Sequence, residues 1–182
     1  MPTTEQIANY NTSSPPKPTD WLLTQPGAVG TNYTKTPISS IVQTLNKAFV
    51  YASGTTSLTG GNVTTIELTT ALFDTGSMFV ASGNALVVSL SGYYQLVGQV
   101  YANQPATADG ILPAIYVNGV EIFEGNYARA PTGGGACEAT VAGIALLASG
   151  AIVTLRCYAD GTDSTIASPS GQFNFLTALG PF

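Results

Sequence analysis

The sequence predicts an all-β sandwich or barrel over residues 47–182, and three observations predict it. From Lys47 onward apolar residues alternate with a period of two, the spacing that places successive side chains on opposite faces of a strand. Clusters of Gly, Asn, Asp, Ser and Pro punctuate that stretch every eight to twelve residues. No run with helical spacing longer than a turn interrupts it. About ten short strands are enough for two facing sheets, and both a jelly roll and an immunoglobulin-like sandwich close such sheets.

Residues 1–46 read as a separate arm. Pro2, Pro15, Pro16 and Pro18 lie among Thr, Ser and Asn with almost nothing apolar, which predicts an extended chain to about residue 20. Asp20 to Lys35 then gathers Trp21, Leu22 and Leu23 around a Pro26-Gly27 turn signal. Thr36-Pro37 has the form of a helix start, and Ile38, Ile41, Val42 and Leu45 recur at helical spacing, predicting an amphipathic helix of about two to three turns. A helix that short does not stand alone. Trp21, Leu22, Leu23, Ile38, Ile41 and Leu45 are therefore expected to anchor the arm to something larger.

Beyond the arm the expected strands are 48–52, 63–70, 77–81, 85–90, 93–102, 112–117, 120–124, 137–147, 152–158 and 173–179. The sharpest local signal is Asn118-Gly119 between LPAIYV and VEIFEG, because a two-residue type I′ hairpin needs positive φ at both positions. The strand that organises the rest is Tyr93–Ala102. Tyr94, Leu96, Gly98 and Val100 form a face suited to a core, joined there by Tyr116, Leu147, Val153, Leu155 and Phe175. Tyr93, Gln95, Val97, Gln99 and Tyr101 form the other face, too aromatic for ordinary surface and too polar for core. That mixture suits a contact between subunits.

Charge points the same way. Only 8% of residues are charged, against roughly 25% in ordinary soluble domains, so the surface is neutral and hydroxyl-rich. Such a surface has little to oppose association and is expected to be covered in part by copies of itself, a neutral monomeric lectin-like domain being the alternative. A net charge of −5 with five cations offers no basic patch for nucleic acid. No apolar run is long enough to insert in a membrane, and Met1 to Asn11 lacks the basic start and apolar middle of a secretory signal, so a chain made in the cytoplasm is expected.

Chemistry is sparse. The chain has no histidine, which removes the commonest general base, the histidine-dependent nucleophile constellations and the usual zinc ligand. Glu121 and Glu124 are close in sequence but are expected on opposite faces of one strand. No catalytic residue and no cofactor are expected. Asp160-Gly161-Thr162-Asp163 could offer oxygens to calcium, yet a polar turn between strands explains it more simply, so no metal site is assigned. Gly133-Gly134-Gly135 lacks the Gly-Lys-Ser/Thr of a phosphate loop and reads as a plain loop. Cys137 and Cys157 read as buried thiols, with a mutual disulfide as the alternative. Tyr127, Arg129 and Pro131 are expected in a long loop at one end of the sandwich, with Tyr101, Asn103 and Gln104 leading into another; such loops bind sugars or protein receptors on many scaffolds, yet solvating the loops or packing between subunits explains these residues more simply, so no binding residue is assigned.

The order SGNALVVSLSGYYQLVGQVYA, LPAIYVNGVEI, VAGIALLASGAIVTL and FNFLTAL resembles the globular heads of complement first-component q subunits and tumour necrosis factor. Gly92, Tyr94 and Leu96 fall on that family's Gly-x-Tyr-x-Phe strand, Asn118-Gly119 on its hairpin, and Leu147, Gly150 and Val153 on its Leu-x-x-Gly-Asp-x-Val turn. Leu96 replaces the family's Phe and Ala151 its Asp. The resemblance implies a trimeric jelly roll. Asp20-Trp21-Leu22-Leu23, the Pro-Gly turn and Lys35-Thr36-Pro37-Ile38 resemble segments near the attachment ends of bacteriophage fibre and appendage proteins. Together these imply a homotrimeric virion protein: a head fibre, capsid decoration or tail appendage. Residues 1–46 would hold capsid or tail proteins, and the head would face a host-surface glycan or protein. A secreted trimeric receptor ligand and a carbohydrate-binding module are the alternatives.

Overall fold

The computed structural model describes residues 21–24, 34–37, 45–104, 109–131, 135–161, 163–165 and 173–182, with backbone alone at 21–24, 34–37, 104, 163 and 164. The chain divides into two compact units, 1–44 and 45–182.

In the first unit Trp21–Thr24 (β1) and Thr34–Pro37 (β2) pair antiparallel, with Trp21 opposite Pro37 and Thr24 opposite Thr34. Thr36 and Pro37 are thus strand residues, which overturns the helix start expected there. A two-stranded ribbon has only edges, where proline's missing N–H is tolerated. Ile38, Ile41 and the rest of the expected helix to Thr44 lie outside the described residues, and Leu45 is half-buried at the start of the second unit.

The second unit is a two-sheet sandwich. The first sheet centres on Gly92–Gln104 (β9), paired along its whole length with Gly135–Leu147 (β13). On the other side of β9 lie Phe175–Gly180 (β16), then Asn46–Tyr51 (β3) and Thr70–Asp74 (β6). In line with β16 on that side, Asp163–Thr165 (β15) pairs Ser57–Leu58 (β4). The second sheet runs Val120–Glu124 (β11), Gly110–Val117 (β10), Ile152–Ala159 (β14), Ala85–Val87 (β8) and Phe79–Val80 (β7). Ala128–Arg129 (β12) joins β10, and Asn62–Thr65 (β5) joins β14. Every pairing is antiparallel, and the described residues hold no α-helix.

Alternation on β9 decides what fills the space between the sheets. Tyr94, Leu96 and Val100 point inward and are buried, as expected, and Ala102 is buried beside them. They meet Ile111, Ile115, Val153, Leu155 and Cys157 of the second sheet, with Cys137 also in this core. At Gly98 the absent side chain is needed, because a Cβ there would sit 2.6 Å from Cδ1 of Leu155. The hydroxyl of Tyr94 leaves the core by donating to the carbonyl of Leu90 at 2.9 Å, so its ring is buried without an unmade hydrogen bond.

Asn118 and Gly119 turn the β10–β11 hairpin with φ of 51° and 81°, the left-handed pair that type I′ requires. Four departures from the sequence reading have local causes. The run expected as one strand over 63–70 splits into β5 of the second sheet and β6 of the first, and Ile66 and Leu68, buried between them, carry the crossing. Much of 77–81 is consumed by a turn in which Asp74 accepts hydrogen bonds from the N–H groups of Met78 and Phe79 at 2.9 and 2.8 Å. Phe175 lies half-exposed on the outward face, because Asn174 and Leu176 take the inward positions. Tyr116 likewise faces outward with Leu112 and Ala114, since Ile111 and Ile115 are the inward residues of β10.

Leu155 is fully buried. Its replacement by alanine should lower the unfolding free energy by about 2–5 kcal/mol in urea titration. A loss no larger than that of Thr154→Ala, on the outward face, would mean that the β14 register is wrong.

Candidate subunit-contact face

The pairing registers place the five face residues expected from sequence on the outward side of the first sheet, at its centre. Each heads a cross-strand row. Gln95 lies between Ile144 and Leu179, with Lys47 beyond; Val97 lies between Ala142 and Thr177, with Phe49 and Phe73 beyond. Gln99 lies between Thr140 and Phe175, with Tyr51 beyond. Tyr93 opposes Leu146, and Tyr101 opposes Glu138 and stacks on Phe173 at 4.8 Å. Phe49 stacks on Phe175 at 5.0 Å and approaches Phe73 at 6.0 Å.

The resulting face is broad and nearly uncharged. Lys47 and Glu138 are the charged residues among the outward positions of β3, β9, β13 and β16. Large apolar side chains stand open on it: Tyr93 is 53% exposed and Phe73 46%. Leu45, Lys47, Ala48, Phe73, Gln95, Val97, Thr177, Ala178 and Leu179 line a depression of about 410 Å³. Of the expected anchors, Leu45 thus lines the face of its own unit. Trp21, Leu22 and Leu23 lie in β1, where the backbone alone is described.

No protein-family model matches the chain, and no curated protein matches it. Solved structures do. Murine APRIL at pH 8.0 superposes with a TM-score of 0.54 at 20% identity, over 75% of this chain and 98% of that one. Eiger TNF from S. frugiperda superposes with a TM-score of 0.57 at 12% identity, over 75% and 92%. The fold is a tumour-necrosis-factor-like jelly roll. That likeness is one of architecture.

The other residues singled out by sequence lie elsewhere. Tyr127, Arg129 and Asp160 meet at the end of the sandwich where β10 begins and β14 ends. The Tyr127 hydroxyl donates to the Asp160 carboxylate, and the Arg129 guanidinium lies 5.5 Å from the Tyr127 ring centre. The side chain of Asp163, Thr162 and the Gly133-Gly134 pair lie outside the described residues, and Gly135 opens β13. Among the described residues no three metal-ligating side chains converge.

Glu121 and Glu124 share one face, contrary to expectation. A bulge between Ile115 and Tyr116 shifts the register, so that Tyr116 opposes Glu121 and Ala114 opposes Glu124. The Tyr116 hydroxyl donates to Glu121 at 2.8 Å, and the Arg156 guanidinium lies 4.3 Å above its ring.

The hydrogen bond to Asp160, then burial, holds the Tyr127 phenol above its ordinary pKa of 10.0, while Arg129 acts in the opposite direction. A folded-state pKa above the unfolded value favours the neutral phenol in the fold. That contribution is complete below the unfolded pKa and is lost as pH rises through the folded one. The tyrosinate absorbance difference between wild type and Tyr127→Phe isolates this group. It should titrate above the ordinary value and move down in Asp160→Ala; an unchanged titration would remove the assigned cause.

Proposed function

We propose that the chain is a non-enzymatic structural module that assembles as a homotrimer through the outward face of its first sheet. One observation carries this reading. A continuous face over β13, β9, β16 and β3, with two charged residues and open aromatic and aliphatic side chains, has no cover among the described residues of its unit. Exposed apolar area of that kind marks a protein contact. A heterologous contact that closes on itself gives a ring, and threefold closure is what the resemblance to tumour necrosis factor and complement heads implies.

The finer reading is a virion appendage or decoration protein, held to its particle by the N-terminal segment and presenting the head outward. It is supported by the charge-poor composition and by the likeness of Asp20–Leu23 and Lys35–Ile38 to attachment segments of bacteriophage fibres. A trimeric receptor ligand is the second reading, favoured by the superposition on Eiger TNF over 75% of the chain.

Light scattering should give about three times 18.7 kDa at micromolar concentration. Val97→Arg, at the centre of the face, should yield a folded monomer, because an unpaired charge would be buried in the contact. A monomeric wild type would end the trimer reading. A shortened chain beginning at Lys47 should remain trimeric but fail to join the parent particle. Unchanged incorporation would place the anchor on the head and end that part of the proposal.

A further inference from the structure

Both arginines of the chain, Arg129 and Arg156, lie on the outward side of the second sheet, away from the face assigned to the subunit contact. Each sits over a tyrosine ring whose hydroxyl donates to a carboxylate. Arg156 lies 4.3 Å above Tyr116, which donates to Glu121; Arg129 lies 5.5 Å from Tyr127, which donates to Asp160. The two groups draw on different strands, so the repetition belongs to the folded face and is invisible along the chain.

The pairing registers set their spacing. Arg156 lies opposite Ala114 and Arg129 opposite Gly110, four residues apart along β10, or about 14 Å at the rise of an extended strand. In the row between them Leu112 opposes Tyr158, a third and partly exposed tyrosine. Small residues keep the floor low: Ala114 is buried beside Arg156, and the Tyr127 ring occupies the space that a side chain on Gly110 would fill.

Hydrogen bonding on this floor is incomplete. The Nε of Arg156 is buried with no hydrogen-bond partner among the described residues, although a guanidinium carries five donors. Exposed Glu124 stands in the same row on the far side of Ala114, two strands or about 10 Å away, so a ligand lying over Ala114 touches both charges.

These groups select the class of ligand. An anion would meet Glu121, Glu124 and Asp160, a cation would meet two arginines, and an apolar protein face would bury charges without partners. A neutral saccharide escapes all three penalties. Each sugar hydroxyl both donates and accepts, so one ring serves a guanidinium and a carboxylate at once while its C–H face packs on a tyrosine.

We infer that the outward side of the second sheet binds an uncharged oligosaccharide laid along β10, from the Tyr116–Arg156 group past Tyr158 to the Tyr127–Arg129 group. The site lies within one copy and does not depend on the trimer.

The test titrates the full chain calorimetrically with four uncharged linear hexasaccharides, built of glucose, mannose, galactose and N-acetylglucosamine, and with a hexamer of galacturonic acid. At least one neutral chain should bind at millimolar concentration or below, and more tightly than the acidic one. Tighter binding of the acidic chain, or no binding of any neutral one, would overturn the inference. Arg156→Ala should weaken the neutral chain at least about tenfold, the effect of losing a hydrogen bond to a charged group, with unchanged circular dichroism. Glu124→Ala, at an exposed position, should do the same and serves if Arg156→Ala does not fold. Unchanged affinity in either folded variant would equally overturn the assignment. Folded Val97→Arg, altered in the other sheet, should bind like wild type at each copy. Its failure to bind would place the site between copies and overturn the inference, whereas a monomeric wild type that binds would end the trimer reading alone.

Discussion

The alternation of side chains along β9 is the constraint on which the rest of this structure depends. A strand paired on both sides has no free edge, so each residue must satisfy one of two faces. The inward set fills the sandwich, and the side chain missing at Gly98 admits Leu155 from the opposite sheet. The outward set is fixed by the same geometry. A one-residue slip would exchange the two sets and expose Leu96 and Val100, so the core pins the outward face in place.

That coupling explains why much of the face was legible in the sequence. Tyr94, Leu96 and Val100 announce a core, and alternation then assigns Tyr93, Gln95, Val97, Gln99 and Tyr101 to the other side. Asn118-Gly119 was equally legible, since few residue pairs tolerate two left-handed conformations in succession. The depression was not. Its lining comes from segments around residues 45, 73, 95 and 178, brought together only by the strand order.

Other details were hidden for local reasons. Val63 to Thr70 holds no Gly, Pro, Asn, Asp or Ser to mark a turn, and only the slip in phase between Val63 and Ile66 hints that the chain changes sheets at Ile66 and Leu68. The bulge beside Tyr116 adds one residue to β11, reversing the relation of Glu121 to Glu124 that strict alternation demands. Thr36-Pro37 carries a helix-start signature, but pairing with β1 overrides local preference. Phe175 looks like a core residue by size, and buried Asn174 does not. Yet the Asn174 side chain accepts the Tyr101 N–H at 2.8 Å, which ties the start of the closing strand to β9 and sets its register.

The scarcity of charge on the outward face has a consequence for how an assembly built on it would respond to its surroundings. Ion pairs weaken as dissolved salt screens them, whereas apolar burial is strengthened by excluded salts such as sulfate and weakened by cooling. A contact in which Lys47 and Glu138 are the charged members answers mainly to the second set of forces. It would tolerate brine and loosen in the cold.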